Sequence, residues 1–405
     1  MMKFTKLAGL MMVTIATLGI LTACGSNSST RGGRGSDESN LKKGDLVGIS
    51  MPTKADQRWN VDGANLVKDL EKAGFKTKLA YANNSTAQQS NDINNLVSAG
   101  AKAIVVASVD GTAVGPAVEQ AKNQGNTVIA YDRLIMNTKA VDYYVTFDLE
   151  RTGILEAQNI IEKLDLKNGG GKETPYNIAL FAGSDDDNNA PYFFKGAWEL
   201  LQPYFESGQL VDPSGMVTKD TTNADWKKIS VHAWDQNQAQ KQMDAFMTKL
   251  GDQPLAAVLS PYDAISLGVM KSIKSARADM TPSIPFSAEN PTNKSAWPII
   301  TGQDGMDIAI TNIYHGAQSQ TVFKNTALLA KQTTSILTDI VDGKKVTSKD
   351  DPMNNNKVKV PTWLLKSDEL VKNPTGEQKA LDYEVKVGFI TEEQYEKDIA
   401  APIIK

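Results

Sequence analysis

From Leu46 onwards, short apolar β-rich runs alternate with amphipathic stretches that end in glycine, and this alternation restricts the fold more than any other feature. Leu46 to Ser50, Thr77 to Ala82, Ala103 to Ser108 and Val128 to Tyr131 read as strands. Between them, Val61 to Ala73, Asn91 to Ala99 and Val114 to Asn123 carry apolar residues at spacings of three and four and close at Gly74, Gly100 and Gly125. Such spacing predicts an α/β fold: a parallel sheet with right-handed crossovers, helices on both faces and ligands at the carboxyl ends of the strands. The rhythm restarts after Tyr143 to Phe147, with helices expected over Arg151 to Leu164, Asn189 to Tyr204 and Ala239 to Leu250. Strands are expected over Asn177 to Phe181, Val211 to Val217 and Ala257 to Leu259. A chain of 405 residues is long enough for two such doubly wound lobes, each with its own core.

The amino terminus follows a different logic. Lys3 and Lys6 precede a largely apolar run from Leu7 to Thr22, which has the length of a signal-peptide core and is short for a bilayer span. Cys24, the only cysteine, follows Leu21-Thr22-Ala23. This run resembles the bacterial lipobox, and the resemblance implies cleavage before Cys24 and attachment of a diacylglyceryl group to its sulfur. Residues 1–23 are then a lipoprotein signal peptide. Residues 24–43, rich in Gly, Ser and Asn, form a lipidated flexible tether with a typical reach of about 20 to 25 Å.

Composition excludes several functions. Forty-three basic residues against 47 acidic ones give a net charge of −4, and no block of five like charges appears, so nucleic acid is not an expected partner. One cysteine and two histidines cannot make a Cys/His zinc site or a disulfide framework. No G-x-S-x-G or H-E-x-x-H occurs, and Gly169 to Glu173 lacks the Ser/Thr of a P-loop. Asp185, Asp187 and Asn189 alternate as in a calcium loop, but Ala190 and Gly196 stand where that loop needs Gly and Glu. No metal, cofactor or enzymatic activity is expected. The competing reading is a glycosidase or isomerase in which Asp132 works with Asp263 or Asp304.

Polar clusters follow the expected strand ends. Lys54 to Trp59 sets Arg58 beside Trp59: a guanidinium fork can satisfy two hydroxyls while an indole covers the apolar face of a sugar ring, although a tryptophan at a helix start also packs as core. Asp132 and Arg133 read as a buried ion pair between lobes, alternating acceptor and donor as a polyol requires. Gly183 to Asn189 reads as a polar helix start, capped by Asp or Asn. Tyr262, Asp263, Gln303 and Asp304 complete the set if the two sheets face each other across a cleft.

The segments VGISMPTK with Arg58-Trp59, VIAYDRLI, YYVTFD, GSDDDNNA, LSPYDA, TGQD, TVFK and VPTWLLK, running from about Val47 to Lys366, resemble the xylose-binding and multiple-monosaccharide-binding receptors of ATP-binding-cassette (ABC) importers. The resemblance implies the type I periplasmic binding protein fold, with two lobes joined by a three-stranded hinge. It divides the body into an amino-terminal lobe of residues 44–146 plus 305–344 and a carboxy-terminal lobe of 147–304 plus 345–405. It implies a monosaccharide ligand, an ABC permease as partner and a monomer outside the cytoplasm. The hydrogen-bonding residues it implies are Arg58, Asp132, Arg133, Asp187, Asn189, Asp304 and Lys324, with Trp59 and Trp234 stacking on the ring from opposite lobes; Lys54, Tyr262 and Asp263, from the polar clusters at the strand ends, are expected to bind the ligand as well. Tyr262 stands where xylose-specific members carry asparagine, which points to a broader range of aldoses.

Overall fold

The structure, a computed structural model, describes residues 41–401. The signal segment, Cys24 and the tether up to residue 40 lie outside the described residues. The expected tether end at residue 43 is corrected: Leu41 is already buried among Val47, Leu70 and Phe75.

The first lobe runs β1 (Leu46–Met51), α1 (Gln57–Lys72), β2 (Lys76–Tyr81), α2 (Thr86–Ser98), β3 (Ala101–Val106), α3 (Gly115–Asn123), β4 (Thr127–Tyr131) and β5 (Tyr143–Phe147). Asp56 and Ser85 cap α1 and α2. Gly74, Gly100 and Gly125 release the three helices with φ between 83° and 93°, a conformation that favours glycine. The chain then crosses to the second lobe: α4 (Leu149–Lys163), β6 (Tyr176–Leu180), α5 (Ala190–Glu206), β7 (Leu210–Val211), α6 (Gln236–Leu250), β8 (Ala257–Leu259), α7 (Asp263–Ala276), β9 (Thr281–Pro285), β10 (Ala296–Trp297), β11 (Ile299–Ile300), α8 (Asp307–Tyr314) and β12 (Thr321–Phe323). The strand expected over Val211 to Val217 is only the short β7. Asp212 breaks it by accepting hydrogen bonds from the backbone of Ser214 and Val217 at 2.8 and 2.9 Å.

The chain returns to the first lobe with α9 (Thr326–Val341), β13 (Met353–Asn354), β14 (Lys359–Val360) and β15 (Thr362–Leu365). It ends in the second lobe with β16 (Asp368–Val371), β17 (Lys379–Ala380), α10 (Tyr383–Lys386) and α11 (Glu392–Ala400). The first sheet is parallel throughout, in the order β15-β5-β4-β3-β1-β2. The second has the parallel order β11-β8-β6-β7, and a bridge between Gln303 and Val322 carries it on to β12-β16-β17. Each sheet is buried between two apolar clusters, one on each face.

Two of the three expected lobe boundaries move. The chain leaves the first lobe after β5, and residues 305–324 stay in the second lobe, because Ile310, Ile313 and Phe323 pack with Leu370 and Leu381. The first lobe instead takes back residues 325–365: Leu329, Ala330, Ile336 and Leu337 of α9 share a core with Ile49 and Leu66, and β15 pairs with β5.

Candidate ligand cleft

Loops at the carboxyl ends of both sheets line a cavity of about 360 Å³ between the lobes. That is near the lower end of the usual range for small-molecule sites, about 300 to 1,000 Å³.

Arg58 organises the first-lobe wall. The Asp56 carboxylate accepts from the Arg58 backbone N–H at 3.2 Å, which starts α1 where the side chain turns into the cleft. The Arg58 Nε donates to Asp62 at 3.2 Å, one terminal nitrogen donates to Asp132, and the other reaches Asp304 of the second lobe at 3.3 Å. Burial opposes the Arg58 charge, but Asp132, Asp304 and Asp62 outweigh it and hold the guanidinium ionised. Burial likewise works against Asp132, yet Arg58, Lys324 and Arg133 keep its pKa below the ordinary value. Asp62 has only Arg58 and the Tyr131 hydroxyl to offset complete burial, and is pushed up to about 6.

The expected Asp132–Arg133 pair is re-partnered. Asp132 adopts a φ of 61°, and its carbonyl oxygen accepts from Tyr144, Thr146 and the Asn189 side chain at 2.8 to 2.9 Å. With the backbone turned in this way, Asp132 meets Arg58, whereas Arg133 crosses to Asp187 of the second lobe at 3.0 Å. Burial raises the Asp187 pKa, and Arg133 partly offsets it. Asn189 does occupy the capping position before α5, but its side chain makes no cap bond and is committed across the cleft to Asp132 and Tyr144.

On the second-lobe wall Lys324, 3% exposed, holds Asp304 at 2.8 Å and lies 5.2 Å from the Phe193 ring centroid. Trp234 meets Phe193 and Tyr262 edge-on, at centroid distances of 6.3 and 5.7 Å. The Tyr262 hydroxyl crosses to Asp56 at 2.9 Å. The lobes are therefore closed on each other through Arg58–Asp304, Arg133–Asp187, Asn189–Asp132 and Tyr262–Asp56.

Arg58, Trp59, Asp132, Arg133, Asp187, Asn189, Trp234, Tyr262, Asp304 and Lys324 all line the cavity. Two expected residues do not. Lys54 is exposed and turns outwards, its ammonium 5.1 Å from the Tyr81 ring centroid. Asp263 is fully buried behind the wall, where it accepts from Met306, Gln318 and Thr321; burial pushes its pKa up to about 7. Trp59 is 3% exposed, with the guanidinium carbons of Arg58 and Arg133 at 4.6 and 5.2 Å from its ring centroid, so it packs as core at the edge of the cleft. Gln303 and Asp186, which belong to the expected polar clusters, line the cavity as well, and so do Asp56 and Phe193, which the sequence reading did not name as ligand residues. Asp56 lay inside the Lys54–Trp59 cluster and was legible there; Phe193 carries no signal that separates it from an ordinary helix-core aromatic.

The carboxylates are poorly arranged for acid–base catalysis. Asp132 and Asp304 share one arginine, and Asp263 does not reach the cavity. Among the described residues no cluster of His, Cys, Asp and Glu is set to hold a metal ion.

Two lobes crossed three times by the chain, with a polar cleft at the strand ends, define a type I periplasmic binding protein. The periplasmic binding protein domain family matches residues 47–345, and the chain belongs to it. It is 41% identical to a multiple sugar-binding periplasmic protein of Azospirillum brasilense over 321 residues, 79% of this chain and 84% of that one. It is 40% identical to a multiple sugar-binding periplasmic receptor of Rhizobium radiobacter, with the same coverage. A solved ABC transporter solute-binding protein from Clostridium phytofermentans, with β-D-glucose bound, is 35% identical, with a TM-score of 0.75 over 87% of this chain and 100% of that one. These relatives are receptors, not enzymes, in line with the expectation that this chain binds its ligand without converting it.

Proposed function

We propose that the protein is an extracytoplasmic receptor, anchored through lipidated Cys24, that closes its lobes on a monosaccharide of the xylose, glucose, galactose or arabinose class and delivers it to an ABC permease. The observation that carries this reading is the alternation of acceptors and donors drawn from both lobes around one small cavity. Asp132, Asp187 and Asp304 accept; Arg58, Arg133, Asn189 and Lys324 donate; Phe193, Trp234 and Tyr262 form an aromatic wall. A sugar hydroxyl donates and accepts at once, so paired groups of opposite character suit it. Each ligand contact that spans the cleft favours the closed state, which makes closure a population shift.

Calorimetric titration with xylose, glucose, galactose, arabinose and ribose tests the reading. Binding of at least one aldose is expected, and no heat from any of them at millimolar concentration would overturn it. For the anchor, Cys24→Ser is expected to move the protein from the detergent phase to the aqueous phase with its circular dichroism unchanged; retention in the detergent phase would remove the lipid from the account.

A further inference from the structure

Trp234 is carried on an unusual backbone. Ala233 (φ 54°) and Trp234 (φ 56°) are consecutive non-glycine residues in the left-handed region, a conformation that persists only where surrounding contacts enforce it. The enforcing contacts come from one short turn after β6. The Val231 N–H donates to the Ala182 carbonyl at 3.1 Å, which brings the kink alongside Gly183. A Cβ on Gly183 would overlap the Trp234 ring, so only glycine lets the indole lie there. The Ser184 hydroxyl, fully buried, accepts from the Ala233 N–H at 2.7 Å and donates to Asp186 at 2.6 Å. At the exposed rim, His232 Nδ1 lies 2.7 Å from Asp185.

We propose that Ser184 is a positioning residue for Trp234, and that the Gly183–Asp186 turn sets ligand affinity by fixing the angle of that indole. The proposal rests on the sugar-receptor reading, in which Trp234 belongs to the aromatic wall. Neither Gly183 nor Ser184 lines the cavity, so Ser184 can act only through what it holds. Without its hydroxyl the Ala233 N–H loses its acceptor, and the kink is free to relax towards the extended backbone that L-residues prefer, carrying the ring off its seat. The His232–Asp185 pair is an outer brace. The hydrogen bond to Asp185 raises the His232 pKa, with Asp186 adding to the effect, while Lys227 faces Asp185. The charged brace is present at low pH and is lost as pH rises through that raised value.

A double-mutant cycle on the full chain tests this, with D-glucose, or the aldose that binds tightest, titrated calorimetrically into wild type, Ser184→Ala, Trp234→Ala and the double variant. Ser184→Ala is expected to weaken binding five- to twentyfold in wild type and less than twofold where Trp234 is already alanine. An equal loss in both backgrounds, or none in either, would overturn the proposal while leaving the receptor reading intact. If wild type binds no aldose, the receptor reading fails and takes this proposal with it. Asp185→Asn, at an exposed site, provides a second arm that does not depend on Ser184→Ala folding. It is expected to abolish a two- to fivefold loss of wild-type affinity between pH 6 and pH 8; an unchanged pH profile would count against the brace.

Discussion

Arg58 is the residue on which the cleft turns, since one guanidinium compensates Asp62, Asp132 and Asp304 at once. Arg58→Ala leaves three buried carboxylates without their shared cation and is expected to cost about 3 to 5 kcal/mol of stability, read by urea denaturation. Arg58→Lys should recover little, because a point charge cannot fork towards three acceptors. A loss below about 1 kcal/mol would mean that the three acids are compensated elsewhere. Asp62 and Asp263 give the molecule an unusual pH profile. Their pKa values in the fold, about 6 and about 7, lie above the ordinary 3.8, so the native state holds extra protons between those limits and stability rises as pH falls through them. Asp132, held below 3.8, acts in the opposite direction, and its contribution is lost only in stronger acid. The melting temperature is therefore expected to peak near pH 4, to decline up to about pH 7 and to level off above it, with Asp62→Asn and Asp263→Asn each flattening the decline. A steady rise from pH 5 to pH 8 would contradict it. At this scale the sequence revealed which residues meet in the cleft better than how they pair: chain neighbours such as Asp132 and Arg133 suggest a pair, but the left-handed φ at Asp132 separates them, and no residue-type rule announces that angle.

The strands and helices up to β5 were legible because period and glycine stops agree locally, whereas the return segments were not. Which lobe owns α9 is decided by a core that joins residues as far apart as Leu66 and Leu329, and β12 is placed by its pairing with β16, Thr321 opposite Leu370; periodicity does not record partners at such distances. The short β7 was missed for a local reason, the Asp212 side-chain turn. The corrected boundary has a consequence. Residues from Asp368 onwards contribute Leu370 and Leu381 to the cluster around Ile310, Ile313 and Phe323, and Phe389 stacks edge-on against Phe323 at 4.7 Å. Phe323 immediately precedes Lys324, so this segment supports a cleft residue from behind. A chain ending at Lys366 is expected to bind a hydrophobic dye, to melt well below the full chain and to lose aldose affinity. A truncated chain with the full chain's melting temperature and affinity would show that the segment is dispensable.

Across the whole molecule, the two lobes meet through charges that already have partners. Arg58, Arg133 and Lys324 are each within 3.3 Å of a carboxylate, and the contacts Arg58–Asp304 and Arg133–Asp187 pass from one lobe to the other. An anionic ligand would have to draw a cation away from a carboxylate and leave that acid unpaired in a closed cleft, whereas a neutral polyol can insert its hydroxyls among the pairs without disturbing their charge balance. Buried pairs are also screened far less by salt than exposed ones. Aldose affinity is therefore expected to change less than about threefold between 0.05 and 0.5 M sodium chloride in calorimetric titrations. The cross-cleft pairs themselves loosen in the open form, where water and salt reach them, so the residual dependence should appear in the rate of closure, read by stopped-flow tryptophan fluorescence, rather than in the affinity. If affinity instead fell about a hundredfold over that range, the ligand would carry a negative charge, and the pairing that makes the cleft suit a neutral sugar would have to be re-read as a set of cations released on binding.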